Sequence, residues 1–315
     1  MSRISEAELR LAKRLSIDAA TGAIWRSLSE RRSSALLLKG PAIARWLYDE
    51  GEPRSYVDID LLVPLREVEH SEGALRELGY RKVVLYRDAS PLAERHWFRD
   101  RDSSVVDLHV SLWGAEVDVD KQWSVVAESA ELLPLAATEV PVPRTPVRAC
   151  LLSLHAAKHG RNSSKPMEDL RRGLDRLDVG VWRAAHDVAL ELDAIEAFSA
   201  GLRLVPTGVE LADRFGLPAP RTPELLLRAD AARGRLLGID SFLSQPGVVA
   251  KGRFLANRVV PTRAFMHELY PFARRSRLSM TLAYLLRPFD LLGKTLKTAP
   301  VWWTARRRAR EDKGA

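Results

Sequence analysis

Hydrophobic residues in the N-terminal part of the chain repeat first with the period of a helix and then with that of short strands. Over residues 5–32 the leucines, isoleucines and alanines recur every three or four positions, which predicts a helix. Residues 34–40 form a short apolar run that ends at a glycine, the pattern of a buried strand entering a tight turn. Pro41 suits the first position of a new helix, which we expect to continue over residues 42–50.

The next segment, residues 57–63, alternates apolar and acidic positions, as a strand does when one of its faces lies on a core. Val57 and the two apolar residues that follow in alternation would point to the core. Asp58 and Asp60 would share the opposite face. The pattern then predicts a helix and three strands, over residues 66–78, 81–86, 95–99 and 105–110. This order is typical of a sheet domain of the α/β or α+β class with roughly 140 residues.

The proline-rich stretch at residues 140–146 predicts a domain boundary, so we expect one domain over residues 1–145 and another over 146–315. Beyond the boundary the pattern is mainly helical, over residues 147–160, 166–178, 181–192, 194–203, 222–237 and 278–296. The predicted fold is therefore α+β: a small mixed β-sheet domain with flanking helices, followed by a mainly helical C-terminal region with a basic tail.

Composition adds that the chain is a folded protein of the soluble type. Its 315 residues are 46% hydrophobic and 29% charged. Cys150 is its one cysteine, so no internal disulfide forms, which fits a cytoplasmic protein. The N-terminus reads as a charged helix start and not as a signal peptide, and no apolar run is long enough for a transmembrane segment.

The positive charge is concentrated at the C-terminus. Residues 251–315 hold 15 Lys and Arg against 4 Asp and Glu, a net +11, and the whole chain carries +8. This predicts an anionic partner for residues 251–315, such as nucleic acid, an acidic surface or an anionic membrane. A solvated helical face with a basic tail is the alternative. Trp302 and Trp303, near the basic run 306–308, could stack on bases, lie at a membrane surface or dock into a groove of the protein itself.

The acidic pair of the predicted strand is the clearest sign of chemistry. Asp58 and Asp60 side by side repel each other unless a cation lies between them, and Mg²⁺ prefers carboxylates together with substrate phosphates. A polar edge strand is the alternative for the pair alone. Asp107 lies in a similar apolar strand, and if the two strands are neighbours the three carboxylates could hold two Mg²⁺ ions. His109, two residues on, could contact a phosphate, orient a carboxylate or be structural.

Two further groups could bind the phosphates of a nucleotide. Lys39 and Gly40 end the first strand before a helix, where glycine lets the backbone approach a phosphate and lysine adds a cation, although the same pair also makes ordinary turns. His155, Lys158 and His159 lie on one helical face. Lys158 could hold triphosphate oxygens from there, or the three residues could form an interdomain hydrogen-bond cluster.

These motifs together resemble the uncharacterised nucleotidyltransferase family of the DNA-polymerase-β-like superfamily. The residues that carry the resemblance are Leu38-Lys39-Gly40, Arg54, Asp58-Ile59-Asp60-Leu61-Leu62-Val63, Gly79-Tyr80, Val106-Asp107-Leu108-His109, Leu154–Gly160 and Glu168-Asp169-Leu170. The superfamily usually has Gly-Ser at the phosphate turn, where this chain has Lys39-Gly40-Pro41, and the distance from Gly40 to Asp58 is long. Both departures match the uncharacterised family.

The resemblance implies an Mg-dependent enzyme that moves a nucleoside monophosphate from a nucleoside triphosphate, with ATP the expected donor, to an acceptor. Asp58, Asp60 and Asp107 would be the catalytic metal ligands, and Asp107 would also help to deprotonate the acceptor. Phosphate binding would fall to Lys39, Gly40, His109 and Lys158, and Arg54 would support the acidic strand or the substrate. The acceptor could be a small molecule, a peptide, a protein or an RNA.

A second hypothesis is a non-catalytic nucleotide-binding sensor or an accessory module of a biosynthetic pathway. It could bind RNA or another polyanion through residues 251–315. Retention of all three carboxylates argues against it, because a degenerate site usually loses one.

Overall fold

The computed structural model describes residues 5–49, 52, 54–84, 92–229, 242 and 247–293. The chain divides into two compact units. The first comprises Met1–Val83, Pro91–Leu152 and Glu168–Ile195, and the second comprises Val84–Ser90, Ser153–Met167 and Glu196–Ala315. The domain boundary after residue 145 that the sequence suggests stays a prediction.

The first half of the chain alternates helices and short strands. They are α1 (Glu6–Glu30), β1 (Leu36–Leu37), α2 (Pro41–Leu47), β2 (Asp58–Leu62), a 3₁₀ turn (Leu65–Glu67), α3 (Val68–Glu77), β3 (Arg81–Val83), β4 (Arg95–Arg99), β5 (Ser104–His109), α4 (Val119–Ala127), β6 (Glu131–Leu135) and β7 (Thr138–Val142).

The rest of the described chain is helical. Its elements are α5 (Thr145–His159), α6 (Ser164–Arg176), α7 (Val179–Glu191), α8 (Ile195–Leu202), α9 (Pro206–Arg214), α10 (Pro223–Ala229), α11 (Gly247–Val259), α12 (Arg263–Leu269), a 3₁₀ turn (Pro271–Arg274) and the helical residues 277–293. The fold is therefore α+β with a helical C-terminal region, as the sequence predicts.

Five strands form a mixed sheet in the order β1-β2-β5-β4-β3. Strands β2 and β5 run parallel, whereas β1 with β2, β5 with β4 and β4 with β3 are antiparallel. The parallel pair at the centre places the middle residues of β2 directly beside those of β5, and β6 and β7 form a separate hairpin. This register determines which side chains meet on each face of the sheet.

One face of the sheet packs on α1 and α3 and forms the main core. The buried residues of this cluster include Ile17, Ile24 and Leu28 of α1, Ala74 and Leu75 of α3, and Ile59, Leu61, Trp97, Val106 and Leu108 of the strands. The prediction that Val57 also points to the core is wrong, because β2 begins only at Asp58 and the Val57 side chain is 53% exposed. The two other apolar positions of the alternation are buried as expected.

Helix α1 begins at a capping box that its sequence specifies. The Ser5 hydroxyl accepts a hydrogen bond from the Glu8 backbone N–H, and the Glu8 carboxylate accepts one from the Ser5 N–H. This reciprocal pair satisfies two of the N–H groups that a helix start leaves unpaired. The long helix that crosses the core face is therefore fixed at its N-terminal end by local sequence.

The second unit has a small core of its own near the C-terminal end of the described chain. Met266, Ala273, Met280 and Ala283 are buried together, with Tyr270 and other partly buried aromatic side chains packed against them. Among the described residues, no helix is long and apolar enough to cross a membrane. Trp302, Trp303 and the basic run 306–308 lie outside the described residues.

Candidate active site

The register of β2 and β5 brings two of the predicted carboxylates directly opposite each other. Asp60 pairs with Asp107, and Asp58, two residues earlier in β2, pairs with Val105. Side chains of paired residues point to the same face of a sheet. The expectation that the two acidic strands are neighbours is therefore met, and the three carboxylates share one face.

The neighbouring strand β4 and the residue just before it add two groups that the sequence reasoning missed. His96 lies opposite Asp107, and its Nδ1 atom is 2.7 Å from Asp107 Oδ1. The Glu94 carboxylate lies beside both histidines of this face, with its Oε1 atom 4.0 Å from His96 Nδ1 and 3.8 Å from His109 Nε2. Glu94 and His96 are two residues apart across the start of the predicted strand 95–99, and this spacing, which repeats that of the acidic pair, is the sequence signal that points to them.

We call this surface the acidic face and define it by Asp58, Asp60, Glu94, His96, Asp107 and His109. One ligand atom from each of Glu94, His96 and Asp107 lies within 4.8 Å of the other two, a spacing that could hold a metal ion. Carboxylate oxygens suit hard divalent cations, and an imidazole nitrogen also suits transition metals. The residues present therefore fit a divalent cation. Among the described residues this cluster includes Asp107 but neither Asp58 nor Asp60, whose roles as metal ligands stay predictions.

Asp60 is the most buried acid of the face, with 4% of its surface exposed. Its Oδ1 atom lies 2.6 Å from Lys39 Nζ and 3.1 Å from His109 Nε2. An ionised carboxylate can only accept hydrogen bonds, so the histidine donates through Nε2. Burial raises the pKa of Asp60, but the Lys39 ammonium and the hydrogen bond from His109 outweigh burial and hold that pKa well below its usual range. Asp60 is thus a buried anion with two partners.

Lys39 reaches Asp60 from the turn between β1 and α2. Burial lowers the pKa of its ammonium group, but the negative charges of Asp60, Glu94 and Asp58 outweigh burial and raise that pKa overall. The next residue, Gly40, has a φ of +62°, a left-handed conformation that favours glycine. The sequence Lys39-Gly40 therefore makes a tight turn that aims a cation at the carboxylates.

Arg54 lies just before β2 and is bound by an acid from another element. Its Nε and Nη2 atoms each donate to the Asp169 carboxylate of α6 over 2.7 Å, and Tyr48 Oη donates to the same carboxylate. Burial lowers the pKa of Arg54, but Asp169 and, among other groups, Asp58 raise it. This bidentate, buried pair anchors the segment that leads into β2. A contact of Arg54 with substrate stays a prediction.

Lys158 lies in the last turn of α5 and belongs to the second unit. Its backbone carbonyl accepts a hydrogen bond from Arg228 Nη1 of α10. The rings of His155 and His159, on the same helical face, are 4.5 Å apart and edge to face. The acidic face belongs to the first unit, so a role for Lys158 in phosphate binding stays a prediction.

Among solved structures the chain is similar to several nucleotidyltransferases. The crystal structure of ANT(2'')-Ia in complex with adenylyl-2''-tobramycin has 16% identity and a TM-score of 0.40, and the match covers 55% of this chain and 97% of that chain. The lincomycin-bound lincosamide antibiotic adenylyltransferase LnuA has 12% identity and a TM-score of 0.32, with 55% and 98% covered. An antigenic nucleotidyltransferase-like protein from Paracoccidioides brasiliensis has 13% identity and a TM-score of 0.35, with 62% and 94% covered.

No curated protein matches the chain. A family model described as uncharacterised nucleotidyltransferase matches residues 5–207, which is more than half of the sequence and includes every strand of the five-stranded sheet. The chain therefore belongs to the uncharacterised nucleotidyltransferase family, a family of transferase enzymes, as its motifs predict.

Proposed function

We propose that the acidic face binds a nucleoside triphosphate together with divalent cations and transfers its nucleoside monophosphate to an acceptor, with release of pyrophosphate. The observation that supports this most strongly is the opposition of Asp60 and Asp107 on adjacent parallel strands in a chain of this family. Four carboxylates share the face with the Lys39 ammonium, so a triphosphate arriving alone would be repelled. Cations between the carboxylates and the phosphates remove that repulsion.

Asp58, Asp60 and Asp107 would hold two Mg²⁺ ions, and Glu94 and His96 offer further donors beside Asp107. When bound, the cations neutralise the triphosphate charge and lower the pKa of the attacking hydroxyl. The protein itself contributes position and fixed charge, which are the main terms in phosphoryl-transfer catalysis.

The side chains around the cations have separate tasks in this proposal. Lys39 would leave Asp60 and bind a phosphate oxygen, and Gly40 lets the backbone come close to the same group. Asp107 would accept the proton of the acceptor hydroxyl. His96, whose Nδ1 atom is 2.7 Å from Asp107 Oδ1, would then accept a hydrogen bond from the protonated carboxyl group. His109 keeps Asp60 oriented. Arg54 holds the start of the acidic strand, and Lys158 would add a second phosphate contact.

The proposed donor is ATP and the proposed compartment is the cytoplasm, where ATP and Mg²⁺ are both plentiful. The acceptor would carry a hydroxyl or a similar nucleophile that attacks the α-phosphorus, gives up one proton to the carboxylate of Asp107 and displaces pyrophosphate. A small molecule, a peptide, a protein or an RNA end would each satisfy that chemistry.

The test combines transfer with an observation that needs no acceptor. The purified protein is incubated with ATP labelled at the α-phosphate, Mg²⁺ and a panel of candidate acceptors, and both label transfer and pyrophosphate release are measured. Calorimetry with a non-hydrolysable ATP analogue and Mg²⁺ measures binding separately. We expect Asp107→Asn and Asp60→Asn each to lower transfer by at least about 1,000-fold, near the upper end of the loss seen when one charge-stabilising group is removed.

Asp100→Asn is the matched control, because Asp100 lies in the turn after β4 with its side chain 78% exposed and paired across the surface with Arg81. This variant should retain full activity. Full activity of Asp60→Asn or Asp107→Asn would contradict the proposed site. Binding of the analogue without turnover on any acceptor would instead favour a nucleotide sensor.

A further inference from the structure

The helical residues 277–293 expose a continuous row of large apolar side chains. We call this row the outer stripe. It consists of Leu278, Leu282, Leu285, Leu286, Phe289 and Leu292, whose side chains are 83%, 51%, 63%, 44%, 73% and 58% exposed. Successive members are one, three or four residues apart, which places all six within an arc of roughly 120° on a helix with 100° per residue. The stripe is thus one connected apolar surface.

The opposite side of this helix is fixed to the second unit's own core. Met280 and Ala283 are buried with Met266 and Ala273. Arg287, 5% exposed, donates through Nε to the backbone carbonyl of Arg258 over 3.2 Å. The helix therefore already has a packed inner face, so the outer stripe is a second apolar face and not the core face turned outward.

Charges around the outer stripe are positive. Arg274, Arg275 and Arg277 are exposed immediately before and at the first turn of the helix. Lys294 and Lys297 follow its last described residue in the sequence. Asp290 is the only acid within residues 277–293, and it lies on the inner side, where Tyr270 Oη donates to it and Arg287 pairs with it. The stripe thus has cations in sequence at both of its ends and no anion on its surface.

We propose that the outer stripe binds the surface of a membrane that contains anionic phospholipid, with the helix lying in the plane of the interface. Apolar side chains of this kind enter the boundary between headgroups and acyl chains, and flanking Lys and Arg pair with anionic headgroups. A nucleic acid fits the stripe poorly, since its interfaces are polar and need cations or aromatic rings at the contact. The anionic partner predicted for residues 251–315 is, in this proposal, the lipid.

The test measures sedimentation of the full chain with vesicles of phosphatidylcholine alone and of phosphatidylcholine mixed with phosphatidylglycerol. We expect at least about tenfold more binding to the anionic vesicles, and a decrease as salt is raised, because the flanking cations act through screened charge. Leu285→Gln combined with Phe289→Gln should lower binding by at least about tenfold, since it removes two central apolar contacts without changing the net charge.

Leu132→Gln combined with Leu190→Gln is the control, because these side chains are 59% and 55% exposed in the first unit, outside the stripe. Circular dichroism verifies that each variant is folded. Equal binding by the stripe variant and the control, or no binding to anionic vesicles, overturns the proposal. The proposal is also overturned if the protein forms a dimer in solution, the stripe variant dissociates that dimer and vesicle binding is absent. A second copy of the chain would then cover the stripe. None of these outcomes depends on nucleotidyl transfer.

Discussion

The two faces of the five-stranded sheet are built from the same strands and differ completely in chemistry. On one face Ile59, Trp97 and Val106 are at most 1% exposed and pack under α1 and α3. On the other face, Asp60, His96 and Asp107, one position along each strand, form a row of titratable groups. The core face contributes burial energy, whereas the acidic face costs desolvation and repulsion. Charges that a fold retains at such a cost are expected to serve a ligand.

The largest expected contrast is between adjacent residues of β5. Leu108→Ala removes a fully buried side chain from the core face and should lower the free energy of unfolding by about 2–5 kcal/mol. Asp107→Asn should change that free energy by less than about 1 kcal/mol or raise it, since it relieves repulsion and the amide can still bond to His96. Urea denaturation of both variants measures the difference. A loss above 2 kcal/mol for Asp107→Asn would mean that the acidic face is mainly structural.

The local pattern of the sequence was enough to predict each face of β2. Alternation assigns Asp58 and Asp60 to one side and Ile59 and Leu61 to the other, because the period of a strand is a property of neighbouring residues. The pairing of Asp60 with Asp107 needed more, since strand adjacency is not a local property. The family resemblance supplied it. The partnership of Lys39 with Asp60 likewise depends on how the β1–α2 turn folds back over β2.

Glu94 and His96 were missed because their role depends on β4 pairing with β5 in one particular register. The hairpin of β6 and β7 was missed for a different reason. Its two-residue turn is formed by Ala136 and Ala137, which have φ values of +48° and +60°, where glycine or asparagine would normally signal the turn. Each of the two strands also contains a proline, a residue that normally argues against a strand. A pattern of residue types therefore could not reveal this element.

A smaller effect, with opposite signs for two ligands, is expected for Lys39→Met. Lys39 is the cation closest to Asp60, so its removal should tighten binding of Mn²⁺ alone, used as a spectroscopic probe, by about tenfold, or 1.4 kcal/mol. The same change should weaken binding of the Mg²⁺ complex of a non-hydrolysable triphosphate by about tenfold, since a phosphate donor is lost. Electron paramagnetic resonance and calorimetry measure the two affinities.

Lys121→Met is the control for general charge effects, because Lys121 is an exposed lysine of α4. It should leave both affinities unchanged. If Lys39→Met shifts the two affinities in the same direction, Lys39 does not exchange between Asp60 and the phosphate, and its proposed role in phosphate binding is contradicted.

The smallest effect concerns a charge at the edge of the core face. Arg99 of β4 is 2% exposed and donates to the Asp102 carboxylate over 2.6 and 3.1 Å. Burial raises the pKa of Asp102, but these bonds and those from Ser104 outweigh it and lower the pKa from 3.8 to about 2.

The stabilisation of the fold by the ionised Asp102 is therefore complete above the unfolded-state pKa and is lost as pH falls from about 4 through about 2. Asp102→Asn should cost about 1 kcal/mol near neutral pH, because the amide oxygen can still accept a hydrogen bond and solvent screens part of the charge interaction that is lost, and the gap in urea midpoint should close toward pH 2. The exposed Asp100→Asn variant should show no such gap. A gap for Asp102→Asn that stays constant with pH would mean that packing around Arg99 at this end of the core face, and not the carboxylate charge, stabilises it.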